Sequence, residues 1–190
     1  MANPSNPNLY FIALIPDQDI RRDVKALKEE MRDNYGAKHA LKSPAHITLI
    51  PPFRRDQQHE SFITDSMFRF ASRQNVFSVE LDGFGNFEPR VIYIDVKQAL
   101  PIRNLHKGLC NTLMDEMLFH PDELKSKLHP HMTIATRDLT PEAYYSAWPE
   151  LLKHRFKAQF EVSCISLLKH NGKFWEIFRT FGFVANKNYL

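Results

Sequence analysis

The sequence has few of the features that would place it outside ordinary globular proteins. Only two cysteines occur in 190 residues, Cys110 and Cys164, which argues against a disulfide scaffold or a thiolate zinc site. No apolar run is long enough for a membrane span or a secretory signal, since the run near the N-terminus covers only residues 9–16. The net charge of +3 suits an anionic ligand but lacks the basic excess of a dedicated nucleic-acid binder. These absences predict a cytoplasmic protein with reduced thiols and no membrane partner.

The composition and the lack of a low-complexity linker predict one folded domain. Hydrophobic residues make up 43% of the chain and charged residues 25%, as in soluble globular proteins. A chain of this length can bury one sizeable core. We therefore expect residues 1–190 to form a single domain.

The first half of the chain predicts a strand, a helix and a second strand. Residues 8–16 are rich in β-forming side chains and end at proline, as a short buried strand does. Asp17 is a typical helix cap, and Gly36 is a typical helix end. Between them apolar residues recur at helical spacing, at Ile20, Val24, Leu27 and Met31.

The second half repeats this order. A strand-like segment at residues 90–96 precedes a helical stripe formed by Leu105, Leu109, Leu113 and Met117. Each half then carries a His-x-Thr motif, at residues 46–48 and, 85 positions later, at residues 131–133. Helices at 60–73 and 140–152 and strands at 77–81 and 160–164 follow the two motifs in the same order.

This repeat predicts two β-α-β-α-β lobes related by an approximate twofold axis. The fold class is therefore α+β, with two antiparallel-sheet lobes, outer helices and a central cleft between the His-x-Thr strands. The C-terminal segments 162–169 and 173–183 predict a hairpin turning at Asn171-Gly172. A matching hairpin in the first lobe is expected to turn at residues 83–86.

The His-x-Thr motifs offer acid–base chemistry. Residues i and i+2 of a strand point to the same face, so His46 projects with Thr48, and His131 projects with Thr133. Ile47 and Met132 are then expected to point into the core. One neutral and one protonated imidazole can transfer protons in opposite directions, and threonine hydroxyls can donate hydrogen bonds to phosphoryl oxygens. This chemistry requires no cofactor.

The segments Pro44-Ala-His-Ile-Thr-Leu49 and Pro130-His-Met-Thr-Ile134 resemble the paired signatures of the two-histidine (2H) phosphoesterases, which include 2′-5′ RNA ligase-like proteins and cyclic nucleotide phosphodiesterases. The resemblance covers nearly the whole chain. It implies hydrolysis of 2′,3′-cyclic phosphates or related RNA-end phosphodiesters, with reversible 2′-5′ joining in some members. It further implies that His131 is the general base, that His46 is the general acid, and that Thr48 and Thr133 bind phosphate.

The chain also departs from this family. Many relatives have a tyrosine after the glycine of the last hairpin, where this chain has Gly172-Lys-Phe-Trp175. Aromatic rings near the motifs are candidates for stacking on a base, namely Phe53, Phe87 and Trp175. Arg137, at the end of the second motif strand, is the best candidate among the nearby basic residues for an additional phosphate contact.

Two other functions are compatible with the sequence: a non-catalytic module that binds RNA ends or nucleotides, and a phosphodiesterase for a small non-RNA cyclic phosphate. A further alternative is that the histidines bind zinc. The zinc alternative rests on His129 and His131, but threonine is a poor zinc ligand and no cysteine or acidic cluster accompanies the motifs. The expected partners are RNA ends or nucleotides with a cyclic phosphate, and no obligate protein partner is evident.

Overall fold

The computed structural model describes residues 7–116, 118–124 and 127–184. The helices are α1 (Gln18–Tyr35), α2 (Glu60–Ala71), α3 (Leu100–Asp115) and α4 (Pro141–Leu151). The strands are β1 (Asn8–Leu14), β2 (Ile47–Arg55), β3 (Phe77–Phe87), β4 (Val91–Val96), β5 (His131–Thr136), β6 (Lys157–Val162), β7 (Cys164–His170) and β8 (Trp175–Gly182). Met117, the predicted last residue of the α3 stripe, lies outside the described residues.

The predicted ends of α1 are confirmed. The Asp17 carboxylate accepts a hydrogen bond from the Ile20 backbone N–H, which satisfies a donor left free at the start of the helix. Gly36 ends the helix with φ 72°, a conformation that glycine adopts without strain. The helix packs against β5 and α4, so it connects the first half of the chain to the second.

The strands form two four-stranded antiparallel sheets. Sheet A has the order β2-β1-β7-β8, and sheet B has the order β5-β4-β3-β6. The two motif strands, β2 and β5, belong to different sheets and pack against each other. The expected α+β architecture with two antiparallel sheets and a cleft between the motif strands is therefore confirmed.

The predicted β-α-β-α-β composition of each lobe is wrong for β3. This strand joins sheet B, where Phe77 lies opposite Val162 and Val79 lies opposite Phe160. The segments that the repeat had aligned as equivalents in two lobes are thus neighbours in one sheet. Sheet A is completed instead by the C-terminal hairpin of β7 and β8.

The predicted turn at residues 83–86 is also wrong. The β3–β4 hairpin turns after Phe87, and residues 83–86 belong to β3. Gly85 is needed for another reason, because the Tyr93 ring lies against it and a Cβ there would come within 2.4 Å of that ring. The C-terminal hairpin turns at Asn171-Gly172 as predicted, and the Asn171 side chain accepts hydrogen bonds from the backbone N–H groups of Lys173 and Phe174.

The two faces of sheet A have different roles. Ile12 and Leu14 of β1 are fully buried in the main core, which also contains Ile47 and Met132, as predicted for the residues between each histidine and threonine. Phe11 and Ala13, on the opposite face, form a second small cluster with Leu168 and Trp175. This second cluster lies beside the first motif and forms the apolar floor of the cleft. No helix in the described ranges has the length and hydropathy needed to cross a membrane.

Candidate active site

The two motif histidines are held by the same backbone contact. The Nδ1–H of His46 donates to the Pro44 carbonyl over 2.8 Å, and that of His131 donates to the His129 carbonyl over 2.7 Å. A carbonyl accepts and does not donate, so the proton of each neutral ring is on Nδ1 and Nε2 has a free lone pair. Both imidazoles are half-buried. Each motif thus presents an oriented Nε2 that can accept a proton.

Each imidazole also packs on an aromatic ring of the neighbouring strand. Phe11 of β1 lies 4.8 Å from His46, and Tyr93 of β4 lies 4.9 Å from His131, measured between ring centroids. Phe87 contacts the edge of His131 at 5.3 Å. These rings limit the rotation of the histidines and reduce the water around them.

A small cavity brings residues of both motifs together. It has a volume of about 140 Å³ and is lined by His46, Thr48 and Thr133, with Phe11 and Trp175 on its apolar side. Both threonines are half-buried, and within the described part of the chain neither hydroxyl makes a side-chain hydrogen bond. Their donors therefore remain available to a ligand in the cavity.

Arg137, the predicted phosphate contact, lies on the rim of this cavity. It has φ 60°, and the next backbone N–H donates to the Thr136 carbonyl, so the chain makes a tight turn at the end of β5. The Asp138 carboxylate then accepts the backbone N–H groups of Lys38 and His39, each over 3.1 Å. This contact fastens the segment before the first motif to the end of the second motif strand.

His39 and Lys42 line the same cavity, although the sequence analysis gave His39 no role. Burial lowers the pKa of His39, and the positive charges of Arg137 and Lys42 lower it further. The rim is therefore a concentration of positive charge contributed by both halves of the chain, suited to an anion.

The predicted stacking residues lie in different environments. Trp175 lines the cavity and packs edge-on against Phe11 at 4.6 Å, so it is accessible to a ligand. Phe53 is only 8% exposed and is enclosed by Tyr10 and Phe119 in the core. The prediction that Phe53 stacks on a base is therefore wrong, because the aromatic neighbours that bury its ring occupy the space a base would need.

Lys28 is a buried cation that the sequence analysis missed. It is 2% exposed, and its Nζ donates to the Ser43 carbonyl over 3.0 Å and to the Pro44 carbonyl over 3.3 Å. The Pro44 carbonyl is also the acceptor for His46, so one oxygen joins the lysine to the imidazole. Among the described residues, no corresponding lysine contacts the carbonyl that holds His131. The two histidines therefore have different electrostatic surroundings.

The pKa of each motif histidine reflects its surroundings. Burial lowers the pKa of His46 to about 4, and the positive charge of Lys28 contributes to the lowering. Burial also lowers the pKa of His131. The pKa of Lys28 itself is lowered by burial to about 8, so the lysine remains largely charged at pH 7. Both imidazoles are therefore neutral at pH 7 in the unliganded protein.

Replacing Lys28 by methionine should raise the pKa of His46, because the nearby positive charge opposes protonation of the ring. The pKa of His131 should stay unchanged. Titration of the imidazole signals by NMR measures both values, with assignments from the His46→Ala and His131→Ala spectra. Lys28→Arg keeps the charge and should keep the pKa of His46 low, and Lys25→Met removes an exposed lysine of the same helix as a control. An unchanged His46 titration in Lys28→Met would contradict this account.

Within residues 7–116, 118–124 and 127–184, no three or more histidine, cysteine, aspartate or glutamate side chains are grouped as a metal site would require. His129 accepts or donates a hydrogen bond with the Tyr93 hydroxyl at 3.1 Å and packs beside His131.

Two antiparallel sheets whose motif strands pack together, with His46, Thr48 and Thr133 lining one cavity, are typical of the class of two-lobed 2H phosphoesterases. The model of the 2′-5′ RNA ligase superfamily matches residues 16–174, and the chain belongs to this family. The resemblance inferred from the two motifs is therefore confirmed.

Comparisons with individual proteins agree with this assignment. The chain is 26% identical over 175 residues to "Putative phosphoesterase OB1230" of Oceanobacillus iheyensis, covering 90% of this chain and 96% of the relative. It is 28% identical over 176 residues to "Putative phosphoesterase GWCH70_0799" of Geobacillus sp., covering 90% and 94%. Escherichia coli LigT complexed with 3′-AMP has the same fold, with a TM-score of 0.67 and 17% identity over 94% of this chain and 99% of LigT.

Proposed function

We propose that the protein hydrolyses 2′,3′-cyclic phosphates or related RNA-end phosphodiesters with its two motif histidines. The observation that supports this most directly is the shared arrangement of His46 and His131, each fixed through Nδ1 with Nε2 unoccupied. Paired imidazoles held in this way can accept one proton and donate another in a single displacement at phosphorus. The phosphoesterase names of the relatives agree with this reaction class.

In the proposed reaction, His131 acts as the general base and His46 as the general acid. His131 takes a proton from water, and the water oxygen forms a bond to phosphorus. The bond from phosphorus to one ribose oxygen breaks, and protonated His46 gives its proton to that oxygen. Atoms and charge then balance: one water is consumed, and the ring opens to a phosphomonoester.

The protonation of His46 is coupled to substrate binding. Its pKa of about 4 leaves the ring neutral in the free protein at pH 7. A phosphodiester anion in the cavity stabilises the charged imidazolium, because opposite charges at short distance raise the pKa of a base. Because the bound anion raises the pKa of His46, the ring holds a proton in the complex and can give it to the departing ribose oxygen.

The threonines and Arg137 supply the complementary charge. The hydroxyls of Thr48 and Thr133 can donate to the non-bridging phosphoryl oxygens, where negative charge must be stabilised in the transition state. Arg137 on the rim adds a positive charge without needing a proton transfer. In this scheme the reaction uses protein groups and water alone, with no cofactor.

The test is incubation of EDTA-treated protein with 2′,3′-cyclic mononucleotides and with an oligoribonucleotide that ends in a cyclic phosphate. Nucleotides are the first choice because LigT, which shares the fold, is described in complex with 3′-AMP. Ring opening should occur at the same rate with and without EDTA, and phosphorus NMR should show a single phosphomonoester isomer. The isomer identifies which ribose oxygen leaves.

Other outcomes would point to other functions. Binding without any product would contradict the proposed hydrolysis and favour a nucleotide-binding module. Turnover confined to small cyclic phosphates that are not RNA ends would show that the substrate is a small molecule and not RNA. Adding a second oligoribonucleotide with a free 5′-hydroxyl tests the reverse direction, since attack of that hydroxyl on the cyclic phosphate gives a 2′-5′ bond.

A further inference from the structure

A groove with a volume of about 710 Å³ lies beside the cleft, between α1 and the C-terminal hairpin; we call it the α1 groove. Its lining from α1 includes Arg21, Arg22 and Lys25, and its lining from the hairpin includes Phe174 and Ile177. It also shares three lining residues with the cavity at His46, namely Lys42, Ser43 and Trp175. The α1 groove is therefore a continuation of the cleft.

The α1 groove carries positive charge that the protein itself does not neutralise. Arg22 is paired with Asp19 at 2.9 Å, and Lys25 is paired with Glu29 at 3.6 Å. By contrast, within the described ranges Arg21 has no carboxylate partner, and its Nε is buried without a hydrogen-bond partner.

Lys42 adds a second free cation, since this exposed residue likewise has no carboxylate partner in the part of the chain that the structure describes. One acidic residue, Glu176, lies in the lining, and it accepts a hydrogen bond from the Asn171 side chain. The unpaired cations therefore outnumber this acid and favour a phosphate-bearing ligand.

The opposite wall of the α1 groove is apolar and accessible. Phe174 and Ile177 are each 41% exposed, and Trp175 connects this wall to the cavity. Proteins bind single-stranded nucleic acids with this combination of side chains: the bases stack on the aromatic rings, and the phosphates contact the cations.

The size of the catalytic cavity indicates that a ligand extends out of it. Its volume of about 140 Å³ is well below the roughly 300–1,000 Å³ of pockets that enclose a whole small molecule. A phosphate group and its sugar can enter, but adjoining nucleotides must lie elsewhere. The α1 groove is the larger space that shares the cavity's lining residues.

We propose that the α1 groove binds the nucleotides adjoining the reacting phosphodiester, and that the protein prefers a single-stranded oligonucleotide to a mononucleotide. This proposal rests on the proposed function, because it assumes that the phosphodiester is held at the motif histidines. It assigns Arg21 to a phosphate of the strand and Phe174 to a base.

The experiment compares kcat/KM for a 2′,3′-cyclic mononucleotide with kcat/KM for a short oligoribonucleotide ending in the same cyclic nucleotide. The wild type should favour the oligonucleotide at least about tenfold, since base stacking and a phosphate contact each contribute on this scale. Arg21→Gln and Phe174→Ala should each remove most of this preference and leave mononucleotide turnover within about twofold. Arg21→Gln should also reduce the dependence of log KM on log salt by about 0.7, the value for one phosphate contact to a single strand.

Arg32→Gln is the matched control. Arg32 is an arginine of the same helix, paired with Asp33 and outside the α1 groove, and its loss should leave the oligonucleotide preference intact. Equal kcat/KM for the two wild-type substrates would overturn the proposal. So would an equal loss for both substrates in Arg21→Gln, or competition by an acidic peptide as effective as by the oligonucleotide.

A binding assay separates this proposal from the proposed function. Fluorescence anisotropy with an oligoribonucleotide ending in a 3′-phosphate measures the groove contact without turnover. If no substrate is cleaved but Arg21→Gln weakens this binding about tenfold, hydrolysis fails and the groove assignment survives. If cyclic mononucleotides are cleaved but Arg21→Gln binds normally, the groove assignment fails and hydrolysis survives.

Discussion

His46→Ala and His131→Ala should each lower kcat for ring opening at least about 10³-fold. A positioned acid or base contributes roughly 10²–10⁴-fold, and each variant also leaves the remaining histidine without the proton donor or acceptor that it works with. The double variant should be little slower than either single variant, since residues that act as one unit lose activity non-additively. Single-turnover rates with a 2′,3′-cyclic mononucleotide measure these losses.

The controls for the histidine variants use other positions and another side chain. His154 is exposed and lies outside the cleft, so His154→Ala should retain wild-type turnover. His46→Asn keeps a side-chain amide that can donate to the Pro44 carbonyl, which protects the local backbone while removing the proton donor. Circular dichroism and thermal unfolding verify that each variant is folded. Wild-type turnover in a folded single variant would refute the two-histidine mechanism.

Thr48→Val and Thr133→Val should each lower kcat about 10²-fold, the scale measured when one hydrogen-bond donor to a developing negative charge is removed. Valine has nearly the shape of threonine and is well tolerated in strands, so the loss reports the hydroxyl and not packing. Because the pKa values of the histidines depend on burial and nearby charge, the imidazole titrations should remain close to those of the wild type. Steady-state kinetics across pH measures both effects.

Thr180→Val provides the comparison for the threonine variants. Thr180 lies in β8, and its hydroxyl is 3.3 Å from that of Ser166 in the adjacent strand. Its replacement should leave kcat unchanged because the residue does not line the cavity. A loss in Thr180→Val as large as in Thr48→Val would show that general disturbance of sheet A, and not phosphate binding, causes the effect.

Local patterns in the sequence predicted much of the fold. The capping chemistry of Asp17 and Gly36 defined α1 correctly, since both act through backbone groups within a few residues. The alternation around His46 and His131 likewise placed Ile47 and Met132 in the core. Such predictions succeed because helix ends and strand faces depend on neighbours in the chain.

The features that the sequence did not reveal depend on distant contacts. The repeat could not specify which sheet β3 joins, because strands of similar composition pair equally well with several partners. Lys28 lies at the edge of the apolar stripe of α1, four residues after Val24, but a lysine is ordinarily exposed, and its burial results from residues 43–44 folding over it. His39 enters the rim through its contact with Asp138, which lies 99 positions further along the chain. Phe53 is buried by Phe119, which belongs to a different part of the chain.

The order of the strands also determines when the protein becomes functional during its synthesis. All four strands of sheet B lie between residues 77 and 162, whereas β1 and β2 of sheet A receive their remaining partners only from residues 164–182. A ribosome adds about 5–20 residues per second, so β1 is without its second partner strand for several seconds after it is made. Trp175 is also the last residue to join the cavity. A nascent or prematurely terminated chain can therefore contain both histidines and still lack one wall of the site.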